Sequence, residues 1–172
     1  MKNKITTIAA TSLFAMAFTA SANQHLLPEW EGQWQGTCQY TSKGGGVQYE
    51  FPMGLSIANR GAEALDWQIS YGEGESLQLR KYRLLSEDEA SGHYVIDENN
   101  GIFIDSYLVN DALVSHFSVG TSQLTTRYEI NGNEMTVDML TFGRQEVRGS
   151  GEAPYVVLAH GFNGRQHCVL YR

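Results

Sequence analysis

The strongest constraint on this 172-residue chain is the placement of its two cysteines, Cys38 and Cys168, near opposite ends. Each lies in a short alternating stretch: residues 32–40 read GQWQGTCQY and residues 167–172 read HCVLYR. Pairing the two stretches as antiparallel strands with Cys38 opposite Cys168 also sets Trp34 opposite Arg172. Alternate side chains share a face, so Trp34, Gly36 and Cys38 fall on one face with Arg172, Leu170 and Cys168. A single register therefore joins both cysteines and lays an arginine beside a tryptophan whose ring it can cover. First strand beside last strand means a sheet closed on itself, which is a barrel.

The rest of the chain supplies the staves. Residues 47–57 alternate cleanly: Val47, Tyr49, Phe51, Met53, Leu55 and Ile57 against polar or small partners, the period of a half-buried strand. Pro52 lies on the outward set and predicts a bulge or a local edge. Leu65, Trp67, Ile69 and Tyr71 form the next inward set, Leu113, Phe117 and Val119 a later one. Residues 77–85 are mixed because Arg80, Lys81 and Arg83 interrupt them. Residues 102–109 are apolar at nearly every position, as in a strand covered on both sides or one facing an external partner. Asn131-Gly132 is the strongest hairpin signal. The glycines of residues 142–154 predict the longest irregular stretch, and Asn163-Gly164 predicts a bend. No helical periodicity interrupts this series. The expectation is an all-β, closed, antiparallel up-and-down meander barrel of about ten strands, with residues 26–30 (LLPEW) capping one end.

Residues 1–22 read as a signal peptide: basic Lys2 and Lys4, a short largely apolar run, then Ala20-Ser21-Ala22, the small residues a signal peptidase requires. The run is too short and too rich in Thr and Ser for a membrane span. Its removal leaves one domain, residues 23–172, and moves the formal charge from −7 to −9, ten basic residues against 19 acidic. Such a chain has no electrostatic basis for holding nucleic acid. Two cysteines in a secreted or periplasmic protein predict one structural disulfide, worth roughly 4–5 kcal/mol by loop-closure entropy over so long a loop.

Gly32-x-Trp34 opening the first strand, with Arg172 ending the last, resembles the calycin superfamily of lipocalins, fatty-acid-binding proteins and related bacterial barrels. The resemblance implies that Trp34 packs across a closed end under Arg172. It departs from fatty-acid-binding proteins at Gly44-Gly45-Gly46, which leaves no room for a helical lid, and from lipocalins in lacking a C-terminal helix. It is nearer the plainer bacterial calycin-like proteins, many of unknown function. Nitrobindin-like barrels hold haem through a histidine near the last strand; His167 lies near that position, but its neighbours do not match, and no cofactor is expected.

No catalytic constellation is expected either. His25, His93, His116, His160 and His167 show no tight metal-ligand spacing, although His160 and His167 could meet across the Asn163-Gly164 bend. Ser115-His116 and Ser106 near Asp105 lack the frame of a nucleophile, and nothing pairs Asp97, Glu98 or Asp105 as glycosidase carboxylates. What remains is an apolar, aromatic interior. The expected function is to hold a small lipophilic ligand lined by Tyr49, Phe51, Met53, Trp67, Phe117, Tyr128 and Met139; Arg80, Lys81 and Arg83 read as exposed strand charges, with capture of an anionic ligand head at the barrel mouth as the alternative. A filled core serving an interaction barrel, or an enzyme using the pocket, are the alternatives. No metal, nucleic acid or membrane insertion is expected, and no oligomeric state is specified.

Overall fold

The structure, a computed structural model, describes residues 27–172; the expected signal segment and His25 lie outside them. Ten antiparallel strands form a closed meander: β1 (Gly32–Ser42), β2 (Val47–Asn59), β3 (Ala64–Tyr71), β4 (Gln78–Asp88), β5 (His93–Asp97), β6 (Phe103–Val109), β7 (Ala112–Val119), β8 (Ser122–Asn131), β9 (Glu134–Ser150) and β10 (Val157–Tyr171). Each strand pairs with its sequence neighbours, and β1 pairs with β10 to close the ring. The closing register is Cys38↔Cys168, with Gly36↔Leu170 and Gln35↔Tyr171 alongside. The two cysteines are joined in a disulfide across a sequence separation of 130. Gly36 is required for this seam, because a Cβ there would run into the Val169 backbone.

One end of the barrel is shut. Residues Pro28–Trp30 make a single 3-10 turn that tucks Trp30 into the core beside Trp34. The Trp34 indole donates to the Trp30 carbonyl at 3.0 Å. The Arg172 guanidinium lies over the Trp34 ring, 4.5 Å from its centre, and donates to the carbonyls of Glu29 (2.7 Å), Glu31 (3.1 Å) and Gly132 (3.3 Å). The plug is thus tied to the barrel by a stacked cation whose hydrogens meet backbone acceptors.

Several local expectations are corrected. Residues 142–150 are strand rather than loop: β9 runs on to Ser150 and β10 begins at Val157, so the two form a hairpin arm beyond the barrel rim, with a ladder that slips register three times and only residues 151–156 outside it. Glycine alone does not end a strand. Among the arm's glycines on this stretch only Gly151, at φ 86°, needs the left-handed region, and it makes the turn. Asn163-Gly164 does not break the last strand either. β10 is continuous with three register shifts between Ala159 and Gly164, and Gly164 serves to let the Tyr40 ring approach. Pro52 sits in regular register with Thr37 without a bulge. It is a local edge, because β3 has already turned away at Gly72, whose N–H bonds the Pro52 carbonyl at 2.9 Å.

The faces of β6 are also resolved. Ile104, Ser106 and Leu108 point in, while Phe103, Tyr107 and Val109 are exposed on the outside. Its continuous apolarity therefore reflects an outer face left open rather than cover on both sides. Val119, expected inside, is exposed where β7 reaches the rim.

Candidate functional site

Beyond the packed layer of Trp30, Trp34, Leu55 and Leu65 the barrel is not filled. An interior cavity of about 110 Å³ is lined by Trp67, Ile69 and Tyr71 of β3, Tyr82 of β4, Ile96 of β5 with Glu98 just after it, Ile104 of β6, Ser115 and Phe117 of β7, Thr126 and Tyr128 of β8, and Met139 of β9. These are the inward positions that alternation assigns on seven consecutive strands. Trp67 and Tyr128 meet edge to face, 5.2 Å between centres. The Trp67 indole nitrogen is buried with no hydrogen-bond partner. Ser106 and Ser115 satisfy each other at 2.7 Å.

Three tyrosine hydroxyls face this space, and all are held neutral. Burial pushes the pKa of Tyr128 well above its ordinary value, and raises that of Tyr71 against the opposing pulls of Gln166 and Arg80. Tyr82 is pushed up to about 12, first by burial and then by the carboxylate of Glu98. At physiological pH the wall therefore offers O–H donors and acceptors without charge.

A second, wider and more open space of about 440 Å³, the mouth, adjoins the cavity at the rim, lined by Tyr49, Phe51, Tyr71, Gly72, Ser76, Gln78, Arg80, Met139 and Gln166. Tyr71 and Met139 belong to both spaces. A run of rings marks the rim: Tyr40 stacks on Tyr49 at 5.1 Å, Tyr49 approaches Phe51 at 5.9 Å, and Phe51 approaches Tyr71 at 6.1 Å. Arg80 is the cation of this mouth. It occupies an inward position of β4, opposite Ile69, and donates to the neutral Gln78 side chain at 3.4 Å. Among the described residues no carboxylate forms an ion pair with it. The interior alone, at about 110 Å³, is smaller than the roughly 150 Å³ apolar cavity that holds benzene; the mouth, at about 440 Å³, falls in the range of small-molecule sites, on the order of 300–1,000 Å³.

The seven expected lining residues fall into three places. Trp67, Phe117, Tyr128 and Met139 line the interior cavity. Tyr49, 55% exposed, and the half-buried Phe51 line the mouth. Met53 lines neither space: it is buried against the disulfide, its sulfur 3.5 Å from Cys38 Sγ. The basic trio divides by parity. Arg80 points to the mouth, whereas Lys81 and Arg83 lie on the opposite face, where Arg83 pairs with the buried Asp97. Tyr82, Glu98, Ser115, Thr126 and Gln166 went unassigned as liners, although period two continued from Leu84 points to Tyr82 and Arg80.

The other candidates do not converge. His167 faces out, paired with Asp138 at 3.1 Å beside Arg165, and His160 meets the Gly143 carbonyl at 3.1 Å instead of His167. Ser115 points in while His116 points out to Thr125 at 2.9 Å, so the adjacent pair cannot act together. Asp97 binds Arg83 and the Asn99 N–H, and Asp105 binds His93 on the outer wall. Only Glu98 of the three carboxylates reaches the cavity. Among the described residues no three His, Cys, Asp or Glu side chains are grouped to hold a metal ion. No helix there is long and apolar enough to cross a membrane.

No family model matches the chain, and no curated protein matches it. Solved structures do. An S-type phycobiliprotein lyase, CPES from Guillardia theta, superposes with a TM-score of 0.57 at 8% identity, over 84% of this chain and 88% of that one. A protein of unknown function from the DUF3598 family, from Nostoc punctiforme PCC 73102, superposes with a TM-score of 0.58 at 12% identity, over 91% of this chain. The match spans 53% of that longer protein. At these identities the likeness is one of fold: the chain is a closed, ten-stranded antiparallel meander barrel.

Proposed function

We propose that this protein is a secreted or periplasmic carrier of a small lipophilic molecule with an anionic head. The apolar part occupies the interior beside Trp67, Phe117 and Met139, and the head sits at the mouth on Arg80. The observation that carries the reading is an unfilled apolar cavity that shares Tyr71 and Met139 with a mouth whose one lining cation has no ion-pair partner among the described residues. Glu98 keeps the head on the Arg80 side, since a second carboxylate beside it would be repelled. The disulfide supports an oxidising compartment. An unfilled interior disfavours the interaction-barrel alternative, although the exposed Phe103, Tyr107 and Val109 of β6 keep an outer apolar face.

The test is titration with a fluorescent fatty-acid analogue, followed by displacement with alkyl carboxylates and the matching alcohols. One-to-one binding, with carboxylates displacing the analogue at lower concentration than alcohols, is expected. Absence of binding by every lipophile of either kind would refute the proposal.

A further inference from the structure

We infer that the ligand's head is a zwitterion, an ammonium beside a carboxylate, held between Glu98 and Arg80 where cavity and mouth adjoin. The inference rests on the carrier reading above and narrows the class of molecule carried.

Both charges belong to one corner of the barrel. On β4, Arg80 and Tyr82 take alternate inward positions, opposite Ile69 and Trp67. The β4–β5 ladder ends at Arg83↔Asp97, so one further step sets Glu98 level with Tyr82. Arg80 and Glu98 are then diagonal neighbours, a step of roughly 7–8 Å in a regular sheet. Glu98 is half-buried where it lines the cavity, and Arg80 is exposed where it lines the mouth. The Tyr82 hydroxyl feels both: after burial, Glu98 raises its pKa and Arg80 opposes the rise.

Neither charge is spent inside the protein. Glu98 accepts from the neutral Asn100 side chain at 3.2 Å, and Arg80 donates to the Gln78 side chain at 3.4 Å. Among the described residues neither forms an ion pair. The outward pair on the same two strands behaves differently. Arg83 and Asp97 stand directly opposite each other and are joined as an ion pair. A carboxylate and a guanidinium left a diagonal step apart have room between them for a group that carries both opposite charges.

The order of the three regions fits an α-amino acid with an apolar chain. Its ammonium meets Glu98, its carboxylate faces outward to Arg80, and its chain points in toward Trp67 and Phe117. A plain carboxylate satisfies Arg80 but brings a second negative charge near Glu98. A plain amine satisfies Glu98 and leaves Arg80 unmatched. Only the zwitterion gives both side chains a charge-assisted partner.

The test is displacement of the fluorescent fatty-acid analogue by three molecules that share one tail: 2-aminooctanoate, octanoate and heptylamine. 2-Aminooctanoate should displace it at about tenfold lower concentration than octanoate, the gain of one charge-assisted contact, and ahead of heptylamine. In Glu98→Gln, shown to be folded by its unfolding midpoint, the advantage over octanoate should disappear. Octanoate displacing from the wild type as well as 2-aminooctanoate does overturns the inference and leaves the carrier reading standing. Heptylamine matching the zwitterion overturns it too, as does an advantage that survives Glu98→Gln. If no lipophile binds at all, the carrier reading fails and takes the inference with it.

Discussion

The two ends of the barrel are made of similar residues put to opposite uses. At the closed end Trp30 and Trp34 are almost wholly buried, the Trp34 indole is hydrogen-bonded, and Arg172 is spent on a ring and three carbonyls. At the open end Tyr49 is more than half exposed in a stack of rings, and Arg80 holds only a neutral glutamine. Aromatic rings and an arginine stabilise a fold where their polar groups are satisfied inside it. Left unsatisfied beside a cavity, the same groups are available to a ligand.

Damage should therefore be graded from the closed end to the open one. Trp34→Ala empties a fully buried site and strips Arg172 of its platform, so it should cost about 3–5 kcal/mol in denaturant unfolding. Replacing both Cys38 and Cys168 by Ala releases the seam that links the chain ends, and should cost roughly 2–5 kcal/mol. Unchanged unfolding after either substitution would mean that the closed end does not carry the fold.

A smaller, pH-dependent effect belongs to the side wall near the mouth. The Asn99 N–H, and then Arg83, hold the Asp97 carboxyl below its ordinary pKa of 3.8. A carboxylate whose folded pKa is depressed adds stability above its unfolded value, and that stability is lost as pH falls through the folded one. Unfolding midpoints measured from neutral pH down past 3.8 should therefore fall less steeply in Asp97→Asn than in the wild type. Smallest of all, Tyr49→Ala at the rim should change stability by less than about 0.5 kcal/mol while weakening the fluorescent fatty-acid analogue. A large loss of stability would place Tyr49 in the core and blur the contrast between the ends.

What could be read from the sequence follows the same division. The seam was legible because one register satisfied Cys38, Cys168, Trp34 and Arg172 together, and the inward faces of β2 and β3 because one side of each is buried. The arm was not: with no core beneath it, Arg144, Glu146 and Arg148 alternate with Gln145, Val147 and Gly149 without an apolar contrast, and its glycines imitate a loop. Arg80 was named with Lys81 and Arg83, but its inward place among them was hidden for a related reason, since a cation in an inward slot breaks the alternation that identifies inward slots. Whether the interior is open depends on side-chain volumes summed across facing strands, which no single strand records. Met53 shows this directly: it has the parity of a lining residue but is packed under the disulfide.

The most direct test of the contrast is a crossed measurement on Arg172→Ala and Arg80→Ala, taking the unfolding midpoint and the affinity for the anionic fatty-acid analogue on each. Arg172→Ala should lose about 1–2 kcal/mol of stability, from the stacked cation and the packing of its stem, and keep its affinity. A double-mutant cycle with Trp34→Phe should show the two effects coupled. Arg80→Ala should unfold like the wild type and bind the anionic analogue about tenfold more weakly, the equivalent of ~1.4 kcal/mol, with the alcohol analogue unaffected. The account is contradicted if both variants lose stability and affinity together, or if Arg80→Ala binds the anionic analogue as tightly as the wild type.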